Sequence, residues 1–250
     1  MSGILKGKVA LITGAGAGIG AATARRFAAE GAVLWLNDLD PTALDAIRDE
    51  TGGRGLAGDM SDSAFATHWV DEAAGQHGRV DVLYNNVGVS RIGLIGELSD
   101  DDWRSQQRLN LDTVFFATRA ALKHMVRRRS GSIVSISSGA GIGGQYRLGG
   151  YAAAKAGVIS LMETVATEYG RLGIRANSLT PGPTATEPLL DYLKGRPGGI
   201  EAHTADLNLA RLSAVEEVAA AVAWLASDEA SNVSGICLQC NIRSGSRRPT

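Results

Sequence analysis

A chain of 250 residues, 44% hydrophobic and 20% charged, has the composition of a globular protein with a sizeable core. Its formal net charge of −1 gives no electrostatic footing for nucleic acid or an anionic membrane. No apolar run approaches the ~20 residues of a membrane-spanning helix, and Met1 to Lys6 lacks a signal-peptide core, so a cytoplasmic protein without nucleic-acid or membrane partners is expected.

Residues 8–13 form a short apolar run that suits a buried parallel strand. It enters a turn containing Gly14, Gly16, Gly18, Ile19 and Gly20, then an alanine-rich helical stretch. Strand, glycine turn and helix in that order suit a pyrophosphate. Glycines admit close backbone approach, and a helix N-terminus offers free N–H groups and a positive dipole end. The second strand, 33–38, ends at Asp38, 20 residues past Gly18. A carboxylate there can accept bonds from ribose hydroxyls and repels a 2′-phosphate. Neither Ala17 nor Leu39 supplies a compensating cation, which favours NAD over NADP. Asp40 and Pro41 form an N-cap and first-turn pair for the next helix. Residues 54–58 read as a weak third strand, with Asp59 and Met60 at its end placed to meet an adenine.

A helix is expected over 61–77, then a strand over 80–84 leading into Asn85, Asn86, Val87 and Gly88. Those amides can brace strand ends or line a cofactor cleft. Ser99 and Asp102 open a long helix that carries Asn110 and ends in Arg127, Arg128 and Arg129. Three cations complement a helix C-terminus; the sharper alternative is a dock for an acidic carrier protein.

The fifth strand, 131–137, delivers Ser138. Tyr151 and Lys155 then stand at i and i+4 on a helix marked by Ala152, Ala153, Ala154 and Ala156. A phenol with a pKa of ~10 is a poor base near neutrality. An ammonium about 4 Å away at an effective dielectric of ~20 favours the phenolate by roughly 4 kcal/mol, about three pKa units before desolvation. Ser138, 13 positions upstream, can hold the same substrate oxygen. The spacing alone equally describes a half-buried tyrosine beside a snorkelling lysine, so the remaining motifs decide.

A strand over 175–180 runs into the turn Pro181-Gly182. Residues 184–210 mix apolar side chains with glycine and proline, the composition of a mobile lid. Ser213 and Glu216 read as a capping box for the last helix. Cys237 and Cys240 lie on a final strand, where i and i+3 face opposite sides, and two thiols make only half a structural zinc site. Buried structural cysteines and no metal are expected. Residues 243–250 read as a disordered tail.

About seven strands alternating with helices imply one doubly wound parallel α/β sheet, Rossmann-like, spanning residues 1–250 as a single domain. Thr13-Gly14-x-x-x-Gly18-Ile19-Gly20, Asn85-Asn86-Val87-Gly88, Asn110, Ser138, Tyr151-x-x-x-Lys155 and Pro181-Gly182 resemble the short-chain dehydrogenase/reductase family, in order and spacing. The resemblance implies that Tyr151 is the acid/base and that Lys155 lowers its pKa and bonds the nicotinamide ribose. Ser138 would orient the substrate oxygen, and Asn110 would hold a relay water. Gly14, Gly18, Ile19, Gly20, Asn86, Val87 and Gly88 would meet the dinucleotide, with Thr184 and Thr186 at its nicotinamide end. A homo-oligomer, tetramer or dimer, is also implied. The chain departs from the family at Val87 (usually alanine), at Val215 (often proline), and at Asn241-Ile242-Arg243, which replace an acidic residue and two glycines.

The leading expectation is an NAD-dependent oxidoreductase interconverting a secondary alcohol and a ketone. Gly139, Gln145, Tyr146, Leu148, Leu189 and Leu193 suggest a mostly apolar substrate. A carrier-protein ketoacyl reductase is the alternative, supported by Arg129 and Arg171 and opposed by Asp38. A catalytically idle NAD-binding regulator is the third, opposed by the intact Asn110, Ser138, Tyr151 and Lys155.

Overall fold

The computed structural model describes residues 3–242. Strands β1 (Val9–Ile12), β2 (Val33–Leu36), β3 (Arg54–Gly55), β4 (Val82–Asn85), β5 (Gly131–Ile136), β6 (Ile174–Pro181) and β7 (Cys237–Cys240) form one sheet ordered β3-β2-β1-β4-β5-β6-β7. Every pairing is parallel, as the doubly wound reading requires. The chain reverses its direction of travel between β1 and β4, which opens a crevice at the carboxyl ends of those strands.

Strand alternation divides the core. Val9 and Leu11 face a cluster built with α3 (Ser63–His77), α5 (Thr113–Arg128) and α7 (Gly149–Tyr169), represented by Trp69, Val114 and Met162. Ala10 and Ile12 face the opposite cluster, with Phe27 of α1 (Gly18–Ala29), Leu44 of α2 (Pro41–Thr51) and Val222 of α10 (Val215–Ala226).

Local chemistry sets several boundaries. The Asp40 carboxylate accepts from Thr42 N–H at 2.8 Å, Pro41 opens α2, and Gly52 at φ 69° ends it. Asp62 caps α3, which therefore starts at Ser63, later than the expected residue 61. Strand β3 is also shorter than expected: a Cβ on Gly55 would lie 1.7 Å from Leu36 O. Beyond it, Leu56 N–H still donates to Leu36 O at 3.1 Å and Gly58 N–H to Asp38 O at 3.0 Å, while buried Asn37 donates to Leu56 O at 3.1 Å and Gly58 O at 3.0 Å, so side-chain bonds take over the carbonyls of this stretch.

Two further expectations are corrected and a third gains detail. The last helix is capped one residue later than Ser213-Glu216: the Glu217 carboxylate accepts from Ala214 N–H at 2.8 Å. Ser213 is occupied elsewhere, its N–H donating to Pro183 O at 2.9 Å and its carbonyl accepting from Ala185 N–H at 2.8 Å. The stretch 184–210 contains two short helices, α8 (Glu187–Lys194) and α9 (Gly199–Thr204), closed at its root by that Ser213 pairing. Cys237 and Cys240 are free and half-buried, because β7 has a strand neighbour on one side only; Cys237 Sγ lies 3.2 Å from Thr180 Oγ1. The tail at 243–250 and Arg243 lie outside the described residues.

The turn from β1 into α1 is closed by backbone contact, since a Cβ on Gly20 would stand 1.9 Å from Gly14 O. Gly20→Ala is therefore expected to destabilise the protein by about 1–3 kcal/mol, the usual cost of overpacking. Thermal unfolding checks this: a lowered Tm supports the contact, and an unchanged Tm rules it out.

Candidate active site

The carboxyl end of β5 delivers Ser138, which caps the short helix α6 (Gly139–Ile142) by accepting from Ala140 N–H at 3.2 Å. Helix α7 then brings Tyr151 back beside it, close enough for the Ser138 hydroxyl to favour the phenolate. Lys155, one turn on, is 1% exposed. Its Nζ donates to Ile136 O at 3.2 Å and stands 5.7 Å from the Tyr151 ring centroid. Small groups make this burial possible. A Cβ on Gly141 would lie 2.7 Å from the Lys155 carbonyl carbon, and Ser137 Oγ donates to Lys155 O at 2.8 Å.

Burial opposes the expected drop in the phenol's pKa. It pushes Tyr151 above its ordinary 10, and the neighbouring Ser138 hydroxyl pulls it only part of the way back. Burial also pushes Lys155 down, to about 8. Lys155 Nζ donates to the Ile136 carbonyl, and desolvation is the largest cause of the shift in both groups.

Asn110 arrives by a route the sequence does not advertise. The expected long helix is α4 (Asp100–Gln107), a π-helical turn (Arg108–Asp112) and then α5. The wide turn projects Asn110, fully buried, toward the end of β4. Asn110 Nδ2 donates to Gln106 O and Val89 O, each at 2.9 Å, and its Oδ1 accepts from Val89 N–H at 3.0 Å. A Cβ on Gly88 would lie 2.8 Å from Lys155 Nζ and 3.0 Å from Asn110 Oδ1, so the lysine, the amide and Gly88 meet at one point.

The glycine turn faces the same crevice. No side chain caps α1 at Ala17 and no acidic residue occupies its first turn, which leaves its leading N–H groups free for an anion. Asp38 accepts from Gly16 N–H at 2.8 Å and from Asp40 N–H at 3.1 Å, fixing its carboxylate at the rim of the turn beside exposed Leu39. Asn86 donates to Gly14 O at 2.9 Å, and Val87 packs 3.3 Å from a Cβ position on Gly14. Thr13, given no part beyond the motif, accepts at its Oγ1 from Asn86 N–H at 3.0 Å and Val87 N–H at 3.4 Å. Thr186 reaches over from the start of α8, its Cγ2 lying 3.3 Å from a Cβ position on Gly18. These features fit a dinucleotide: a strapped glycine cradle, an open helix N-terminus and a carboxylate at the edge.

Other expected contacts are modified. Met60 is 2% exposed and packed in the core, so its side chain does not face the crevice. Asp59 accepts from Ser61 N–H at 2.8 Å and pairs with Arg108 at 3.4 Å; burial raises its pKa, but these bonds outweigh that and hold it low. Gln145 Nε2 lies 3.4 Å from a Cβ position on Gly139, beside Ser138, whereas Tyr146 is 82% exposed and Leu193 is buried. Gly182 N–H donates to Cys240 O at 2.6 Å, and Thr184 Oγ1 turns inward to Gly182 O at 3.0 Å.

The depressed lysine has a stability consequence. Between pH 8 and 10.5 the folded protein binds fewer protons than the unfolded chain, so stability rises with pH across that window. Below it the cost is present in full, roughly 3 kcal/mol at ~1.36 kcal/mol per pKa unit. Lys155→Met is therefore expected to raise Tm by several degrees at pH 7 while abolishing activity. A lowered Tm at pH 7 would show that the charged head group stabilises the fold.

Comparison with known proteins agrees with this geometry. Residues 14–241 match the family model described as enoyl-(acyl carrier protein) reductase. The chain is 38% identical over 238 residues to 3-oxoacyl-(acyl-carrier-protein) reductase FabG of Thermotoga maritima, covering 92% of this chain and 95% of that one. It is 39% identical over 232 residues to meso-2,3-butanediol dehydrogenase of Serratia marcescens, covering 91% and 90%. The crystal structure of a putative short-chain dehydrogenase/reductase from Burkholderia xenovorans superposes with a TM-score of 0.89 at 36% identity, over 96% of this chain and 97% of that one. A seven-stranded parallel sheet, a strapped glycine turn and a tyrosine over a buried lysine thus stand in a chain that belongs to the short-chain dehydrogenase/reductase family, oxidoreductases that bind a nicotinamide cofactor.

Proposed function

We propose that this protein is an NAD-dependent oxidoreductase interconverting a secondary alcohol and a ketone. The observation that carries the reading is Tyr151 beside Ser138, with the Nζ of the buried Lys155 5.7 Å from its ring centroid. The glycine turn, Asp38, Asn86 and Thr186 would hold the dinucleotide, and a bound nicotinamide supplies the hydride chemistry. The chain's own work is then to hold an oxygen and move a proton. Ser138 and Tyr151 hold the substrate oxygen by two hydrogen bonds. The raised pKa keeps the Tyr151 phenol protonated at neutral pH, ready to donate to a ketone oxygen; alcohol oxidation needs the phenolate. Lys155 and Asn110, meeting at Gly88, would pass the proton between the phenol and solvent through a bound water. The segment 184–210 closes over the substrate and excludes water.

A second reading, a carrier-protein ketoacyl reductase, is favoured by the likeness to the Thermotoga maritima enzyme. The choice of cofactor separates the two. Asp38 stands against a 2′-phosphate, and exposed Leu39 offers it no partner.

Tyr151→Phe is expected to abolish turnover and leave NAD affinity within twofold, because the ring still packs and only the exchangeable proton is lost. Wild-type oxidation of meso-2,3-butanediol, or of the best substrate in an alcohol panel, is expected to rise with pH, and ketone reduction to fall. Retention of more than about a tenth of kcat by the variant, a loss under ~1.4 kcal/mol, removes Tyr151 from the proton transfer.

Cofactor preference is expected to exceed a hundredfold in kcat/KM for NAD, since each charge-assisted ribose bond contributes ~1.5–3 kcal/mol and NADP replaces it with repulsion. Asp38→Ala combined with Leu39→Arg is expected to narrow or reverse that ratio. Equal use of both cofactors by the wild type overturns the choice of NAD and favours the ketoacyl reductase.

A further inference from the structure

Asn241, just past the end of β7, makes two side-chain bonds, of which a carboxylate could make only one. Its backbone is left-handed, φ 48°, a conformation asparagine tolerates. Its carbonyl lies 2.0 Å from a Cβ position on Gly182, so the residue sits directly against the Pro181-Gly182 turn. Its side-chain amide points the other way and grips a second segment twice. Oδ1 accepts from Leu209 N–H at 2.9 Å, and Nδ2 donates to Arg211 O at 2.9 Å.

The residue between those two bonds is Ala210, itself left-handed at φ 45°. A Cβ disfavours that conformation, so something must hold it. Apolar burial does not: Leu209 is 60% exposed, and no residue between Leu207 and Ser213 is buried. On the far side the same limb is tied to α10, where Arg211 pairs with Glu217 at 2.7 and 2.8 Å. Between buried Leu207 and Ser213 the limb is held by polar bonds, which include Ala210 N–H to Leu207 O at 3.2 Å and Thr204 Oγ1 to Ala210 O at 3.4 Å.

We infer that Asn241 is a latch, a positioning residue that fixes the returning limb of the 184–210 segment to the turn beside Thr184 and Thr186. The inference rests on the proposed oxidoreductase reading where it concerns substrate, and on geometry alone where it concerns the limb. A carboxylate at this position would keep the bond from Leu209 and lose the donor to Arg211, setting two oxygens against each other. Glycine would keep the backbone conformation and lose both bonds.

Amide hydrogen exchange on the full chain tests the latch without any chemistry. In Asn241→Gly, peptides covering 205–213 are expected to exchange about tenfold faster, while those covering β5 are unchanged. Asn241→Asp is expected to fall between glycine and wild type. Wild-type exchange in the glycine variant, or equal acceleration of β5, overturns a local latch. With NAD and meso-2,3-butanediol as the probe, Asn241→Gly is expected to raise the alcohol KM about fivefold, leaving kcat and NAD affinity within twofold. Faster exchange with an unchanged KM overturns the positioning role. Absence of turnover with any alcohol in the wild type counts against the oxidoreductase reading and leaves the exchange result to decide the latch.

Discussion

A cation held out of water at the end of a strand is the constraint around which this site is built. Among the described residues Lys155 has no carboxylate paired with it, and the acceptor its Nζ meets is the Ile136 carbonyl. Keeping it there demands that three pieces of backbone come close: α6 at Gly141, the end of β5 at Ser137 and the end of β4 at Gly88. A side chain at either glycine would meet the lysine itself. The small residues around the motif are thus the condition for a buried amine, and a buried amine with a pKa near 8 can exchange a proton at physiological pH.

The π-helical turn at Arg108–Asp112 serves the same end. One extra residue in a helical run misaligns its backbone bonds, and here Asn110 covers the misalignment by donating to Gln106 O while its oxygen receives the Val89 amide. The loop after β4 is thereby tied to the helix that crosses it. Gln106 shows the strain of the arrangement: its Oε1 accepts from Arg91 N–H at 3.3 Å, and its Nε2 is buried without a protein partner. A water in the crevice is the natural partner for such a group.

Much of this was legible in the sequence because it is local. Apolar runs gave the strands, Asp40-Pro41 gave a helix start, and the i, i+4 spacing put Tyr151 and Lys155 on one face. What depends on distant partners was not legible. Residues 108–112 contain ordinary helix formers, so nothing marked the π turn. The sign of the phenol's shift depended on burial, which the i, i+4 spacing does not report. Ser213 met the local requirement for a cap but was taken by pairing with Pro183 and Ala185. Met60 followed its neighbours into the core because Trp69 and Val70 of α3 pack beneath the end of β3.

The arginines at the end of α5 answer a different question. Arg127 and Arg128 occupy the last turn, and Arg129 caps it with φ 54° while donating to Arg171 O at 3.1 Å. Both segments lead directly into the amino ends of strands, Arg129 into β5 and Arg171 into β6. Ser138 lies beyond the other end of β5, an extended strand of six residues. At ~3.3 Å per residue that is about 20 Å, with the whole thickness of the sheet's length between cluster and phenol. A ligand that engages these cations and reacts at Tyr151 of the same chain must therefore carry its reactive group on an arm of that length. A small alcohol cannot touch both. The cluster consequently bears on the ketoacyl reading alone, and for a small-alcohol dehydrogenase it reduces to charges complementing a helix C-terminus.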